Sequence, residues 1–193
     1  MQEDATFTAF AGNRSLASGQ LDEVLKQLKA YADSGGVETP LVFADESGQQ
    51  VDFDLRGSLE QVLARARGPS KRSGPGRPKL GVVSREISLL PRHWEWLKEQ
   101  PQGISAALRR LVDQARTRDP SGQRARQVRD ALSRVMWSMA GNLPDFEEAS
   151  RALFAKRDAD LRALIRGWPE DLRDYVERRL HLAARLESER PDA

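Results

Sequence analysis

Residues 84–115 run Ser84-Arg-Glu-Ile-Ser-Leu-Leu-Pro-Arg-His-Trp-Glu-Trp-Leu-Lys-Glu-Gln-Pro-Gln-Gly-Ile-Ser-Ala-Ala-Leu-Arg-Arg-Leu-Val-Asp-Gln-Ala115. In an extended segment over 83–89, Val83, Ile87 and Leu89 share one face, and Ser84, Glu86 and Ser88 share the other. Pro91 and Arg92 then open a short helix in which Trp94 and Leu97, three apart, face a core. Pro101-Gln-Gly103 ends that helix. Ile104, Leu108, Leu111, Val112 and Ala115 follow at helical spacing and give a second helix an apolar stripe. The pattern predicts strand, helix, tight turn and helix. One strand cannot satisfy its own edges, so the unit needs a second copy to pair with.

The segment ahead of this stretch is of a different kind. Gly68-Pro-Ser-Lys-Arg-Ser-Gly-Pro-Gly-Arg-Pro-Lys79 is too rich in Pro, Gly and Ser for a helix or an inner strand, and predicts a flexible linker. Charge changes sign there. Residues 1–64 hold 4 basic and 11 acidic side chains, whereas residues 65–92 hold 8 basic ones and a single acid, Glu86. The net charge of +2 therefore conceals a basic block able to attract a polyanion. The acidic segment beside it suggests self-inhibition, in which residues 1–64 fold onto the basic arm until a polyanion displaces them.

The order strand-helix-helix, with these lengths, resembles the ribbon-helix-helix family of DNA-binding proteins (Arc/MetJ type). That resemblance implies a homodimer. Two copies of the strand would pair antiparallel about a two-fold axis, and the ribbon would enter the major groove of double-stranded DNA. A two-stranded ribbon is narrow enough to do so. The resemblance places base reading on Ser84, Glu86 and Ser88. It places a phosphate clamp on the backbone N–H groups of Gly103, Ile104 and Ser105, where unpaired amides and the helix dipole favour an anion. Glu86 departs from the residue types that usually read bases, although a carboxylate can accept from cytosine N4. Gly74-Pro-Gly-Arg-Pro-Lys79 is similar to the Gly-Arg-Pro centre of an AT-hook, with Pro75 standing where the hook has Arg. Lys71, Arg72, Arg77 and Lys79 on that arm, with Arg85 and Arg92, are the expected phosphate contacts.

The fold class expected is α+β, in four parts. Residues 1–67 form an acidic β-α-β-β-α unit. Its strands are Ala5–Phe10, Leu41–Phe43 and Val51–Leu55. Its helices carry Leu21, Val24, Leu25 and Leu28 (Ser18 as N-cap, Gly35-Gly36 as stop) and Leu59, Val62, Leu63 and Ala66 (Ser58 as N-cap). Residues 68–81 are the basic linker, 82–118 the ribbon-helix-helix-like core and 119–193 a C-terminal helical region. In that last region Val128, Leu132, Val135, Met136 and Met139 mark one helix and Leu172, Tyr175, Val176, Ala183 and Leu186 another. Asp145 with Glu148 caps a helix running through Ala149, Leu153, Leu161, Leu164 and Ile165, and Trp137 is expected in the core.

Enzyme chemistry has no motif to stand on. There is no cysteine, phosphate-binding glycine loop, serine elbow or metal-ligand spacing, so no cofactor or metal is expected. His93 and His181 sit on charged helix faces and read as surface residues, and Asp52 and Asp54 as the wet face of a strand. No secretory signal or membrane span is visible, and a cytoplasmic location is the expectation. The whole layout is also similar to a bacterial family of uncharacterised proteins. The function expected is a dimeric DNA-binding protein and transcriptional regulator, with an unidentified protein partner for the N- or C-terminal region. The alternative is a non-catalytic interaction protein whose ribbon only clasps a dimer.

Overall fold

The computed structural model describes residues 5–67, 85–118 and 120–189, and its organising element is β1 (Thr6–Ala11), in which every residue after Thr6 is buried. A strand covered on both faces is the middle of a layered structure. It pairs antiparallel with β2 (Arg14–Gln20) and β3 (Leu41–Ala44), and β3 pairs with the short β4 (Gln49–Gln50), giving the order β2-β1-β3-β4. β1 and β2 form a hairpin across Gly12-Asn13. Gly12 holds φ +52°, a left-handed value that glycine adopts at little cost at the first position of such a turn.

Each face of this sheet has its own core. Phe7, Ala9 and Val42 pack with Val24, Leu25 and Leu28 of α1 (Leu21–Asp33) and with Val62 of α2 (Leu59–Arg67). Phe10 and Phe43 enter a larger core built by the C-terminal helices. These are α5 (Pro120–Ala140), α6 (Phe146–Phe154), α7 (Asp158–Leu164) and, after a 3-10 turn over Ile165–Gly167, α8 (Glu170–Ser188). The Phe10 ring meets Tyr175 edge to face at 5.8 Å. Burying each of these Phe side chains contributes roughly 1.5–3 kcal/mol by transfer alone. The chain accordingly divides into two compact units, one made of residues 1–69 with 121–193 and the other of residues 70–120. The α+β class is as expected, but the N-terminal segment and the C-terminal helices build one body.

Two buried polar groups tie unit one together. Asp45, 6% exposed, accepts at Oδ1 from Thr8 Oγ1 (2.9 Å) and from the Tyr175 hydroxyl (3.3 Å). Burial, then the neighbouring Asp45 charge, pushes the Tyr175 phenol well above its ordinary value, so it stays a donor. Arg129, 4% exposed on α5, donates to Asp158 (2.8 and 3.1 Å) and Glu187 (3.3 Å), closing α7 and α8 onto α5.

Several expectations need correction. Ser18 caps no helix: it lies in β2, and its hydroxyl meets that of Thr8 at 3.1 Å. Gln20 is the N-cap of α1. The strand expected over 51–55 is not formed beyond β4. Val51 N–H still reaches the Val42 carbonyl, and Val51, Phe53 and Leu55 are half-buried while Asp52 and Asp54 are exposed. Asp145 takes a left-handed φ of 59° and makes no capping bond. The single helix expected after it breaks at Lys156 (φ 57°) into α6 and α7. Trp137 is 66% exposed, its ring meeting Phe146 edge to face at 5.0 Å. Gly35-Gly36 does end α1, with Gly36 N–H returning to the Tyr31 carbonyl and Gly35 N–H to that of Ala32. Ser58 and Gln61 cap α2 reciprocally.

Candidate nucleic-acid interface

Unit two is the basic part of the chain. Residues 70–120 carry eleven Lys or Arg against five Asp or Glu, a net +6, whereas the remainder carries twenty against twenty-four, a net −4. Its described portion is two helices, α3 (Pro91–Lys98) and α4 (Ile104–Arg118). Pro91 starts α3 because a first-turn residue needs no N–H partner. The turn between the helices is pinned by Gln100, whose carbonyl accepts from Gly103 N–H (3.0 Å) and whose side chain donates to the Trp96 carbonyl (3.2 Å). Gly103 sits at φ +77°, the left-handed geometry that lets α4 start immediately after the turn.

The core under these helices is thin. Among the described residues of this unit only Leu97 and Ala107 are buried hydrophobics. Leu89, Trp94, Ile104 and Leu108 are half-covered. Ile87 is 51% exposed and Val112 55%, and Leu90, Trp96 and Leu111 are exposed as well. Residues 85–90 adopt no regular structure, and among the described residues the backbone groups of 85–89 make no hydrogen bonds. An extended segment with unpaired backbone next to uncovered apolar side chains lacks the partners that both features need.

The expected site residues fall as follows. Ser84, Lys71, Arg72, Arg77 and Lys79 lie outside the described residues. Arg85, Glu86 and Ser88 are exposed on the extended segment, and Arg92 is exposed in the first turn of α3. Gly103 gives its N–H to Gln100, so the first-turn donors of α4 without a helical partner are those of Ile104, Ser105 and Ala106. α4 has no acid in its first turn, so no carboxylate there offsets its N-terminal dipole. Sequence reading missed Arg109 and Arg110, both exposed one turn into α4. Arg109 Nε is held by the Ser105 carbonyl at 3.1 Å and Arg110 by the Gln100 side chain at 3.4 Å. Their adjacency in the sequence, outside the apolar stripe, was the signal available.

His93 and His181 are exposed. Asp54 is engaged by Arg56 at 2.9 and 3.0 Å, which holds its carboxyl well below the usual carboxylate range. Among the described residues there is no group of three or more His, Asp or Glu able to hold a metal ion, and no helix long and apolar enough to cross a membrane.

No curated protein and no solved structure matches the chain. The model of a family described as "uncharacterized protein conserved in bacteria" (DUF2239) matches residues 6–180, and the chain belongs to that family.

Proposed function

We propose that the protein is a homodimeric DNA-binding protein and a regulator of transcription. Residues 83–89 of two copies pair as an antiparallel ribbon about a two-fold axis. Pairing satisfies the free backbone groups of 85–89, and the second copy covers Ile87, Leu111 and Val112. The outward residues Ser84, Glu86 and Ser88 then enter the major groove. Arg85, Arg92 and the first-turn amides of α4 meet phosphates, and Lys71, Arg72, Arg77 and Lys79 add contacts from the arm. The observation that carries this reading is the coincidence, in the basic unit, of an unpaired extended segment and a half-covered apolar face.

Binding of the full chain to a labelled random duplex, titrated with salt, tests it. Affinity should fall by orders of magnitude between about 50 and about 200 mM salt, since each phosphate contact contributes about 0.9 to the logarithmic slope. Replacing Lys71, Arg72, Arg77 and Lys79 with Ala should flatten the slope by roughly 3–4 per protomer if all four touch phosphate. Val112→Asp should yield a monomer by sedimentation that no longer binds duplex, because a charge on the covered face is left unpaired. Absence of binding at every salt concentration, with a dimer intact, would leave the dimer clasp as the surviving reading. The exposed carboxylate of Glu86 on the ribbon is the feature that favours this second reading.

A further inference from the structure

Unit one holds a cavity of about 340 Å³, at the small end of the range for ligand sites, whose wall carries both signs of charge. Asp45, Glu46, Arg124, Gln127 and Arg179 supply its polar lining. These lining charges are not tied up in ion pairs with one another. Among the described residues Glu46, Arg124 and Gln127 make no side-chain hydrogen bond or ion pair. Arg179 uses Nη2 alone, donating 2.6 Å to the Asp45 carbonyl, while its Nε is buried with no partner. Asp45 takes its two side-chain bonds on Oδ1, and Oδ2 accepts none among the described residues. The buried Arg179 Nε left unmet costs free energy that a ligand acceptor recovers, and Asp45 Oδ2 beside it is open to a ligand donor.

We propose that this cavity is a binding site for a small zwitterion of the free α-amino acid class. The ligand carboxylate lies between Arg124 and Arg179, and the ligand ammonium between Asp45 and Glu46. Val128, Leu182 and Leu186 form the apolar wall that its side chain meets. Thr8 and Tyr175 hold the Asp45 carboxylate in place from behind, which makes it a preorganised acceptor. The cavity belongs entirely to unit one and exists whether or not unit two meets DNA.

The chain of 193 residues, screened against the common free L-amino acids by thermal shift and then by calorimetry, provides the test. At least one should bind with Kd below about 10 mM. The N-acetyl form and the methyl ester of the same amino acid, each lacking one charge, should bind about tenfold more weakly or worse, as the loss of a charge-assisted hydrogen bond implies. Glu46→Gln and Arg124→Gln alter exposed side chains and leave the fold intact, and each should weaken binding to a similar degree. The site is overturned if no amino acid binds in that range. It is equally overturned if one binds but neither substitution changes its affinity.

Discussion

At the scale of single residues, the buried Arg129 is the point where charge holds unit one together. Burial works against the Glu187 carboxylate, but hydrogen bonds from Lys156 and Arg129 outweigh it and hold its pKa below the ordinary 4.5. A carboxylate whose folded pKa is depressed contributes stability that is present above its unfolded value. That stability is lost as pH falls through the folded value. Thermal melts of the full chain should therefore show Tm dropping as pH descends from about 5 through the carboxylate range. Glu187→Gln should lower Tm at pH 7 and flatten that descent; an unchanged acid slope in the variant would remove Glu187 as its source. Glu86 makes the opposite kind of demand. It is an exposed acid on the extended segment, and at a DNA face it repels phosphate. Glu86→Gln should tighten binding to random duplex by roughly threefold to tenfold at low salt, with the gain fading as salt screens the field. In a dimer clasp without DNA contact, the same change leaves duplex binding absent.

At the scale of elements, the turn between β3 and β4 shows how closely the layers meet. A Cβ on Gly48 would lie 2.1 Å from the Ala131 carbonyl oxygen of α5, and Gly48 holds φ +66°. Beside it Arg134 donates to the Ser47 carbonyl at 2.5 Å. Gly48→Ala meets both a backbone clash and a left-handed φ, and should cost about 1–3 kcal/mol or more in denaturant unfolding. A loss within about 0.5 kcal/mol, the size expected of a neutral surface change, would mean the turn lifts off α5 freely. The same region shows which elements the sequence discloses. Helices α1, α5 and α8 were legible because their buried residues recur at helical spacing, and Ser58 was legible as the N-cap of α2, whereas the return bond from Ser58 N–H to Gln61 was not read. β2 was not, since Arg14–Gln20 has no β-branched residue and owes its form to pairing with β1. Gly12-Asn13 was the one hairpin signal it offered. The break at Lys156 carries no glycine or proline, so nothing local announces that α6 and α7 are separate helices. For the candidate interface, the second helix expected from the apolar stripe forms as α4, but what covers the stripe was not legible. A periodic stripe says that a face must be buried and is silent on what buries it.

At the scale of the whole molecule, the charge split that the sequence offers does not follow the boundary between folded bodies. Residues 1–64 look like a detachable acidic segment, yet Phe10 and Phe43 stand in one core with Leu132, Met136, Leu153 and Tyr175. β2 is also tied to α8, where Ser15 N–H donates to Asp171 at 2.8 Å. Asp45 supplies the carbonyl that Arg179 uses and the carboxylate that Tyr175 uses. Removing residues 1–64 to free the basic arm therefore removes one wall of the C-terminal helical core. Truncating a single buried Phe to Ala typically costs about 3–5 kcal/mol, and a whole domain has only about 5–15 kcal/mol to lose. The truncated chain should be insoluble or unfold without a cooperative transition, and its DNA binding would then report misfolding. A soluble truncated chain with a sharp thermal transition would show that the helices close over the gap, and only then could tighter duplex binding be credited to release of the arm. Self-inhibition by charge is better probed with the sheet in place. Asp52→Asn is suited to this because Asp52 is exposed and outside both cores. If the acidic face competes with DNA for the arm, that neutralisation should tighten duplex binding at low salt and have no effect at high salt.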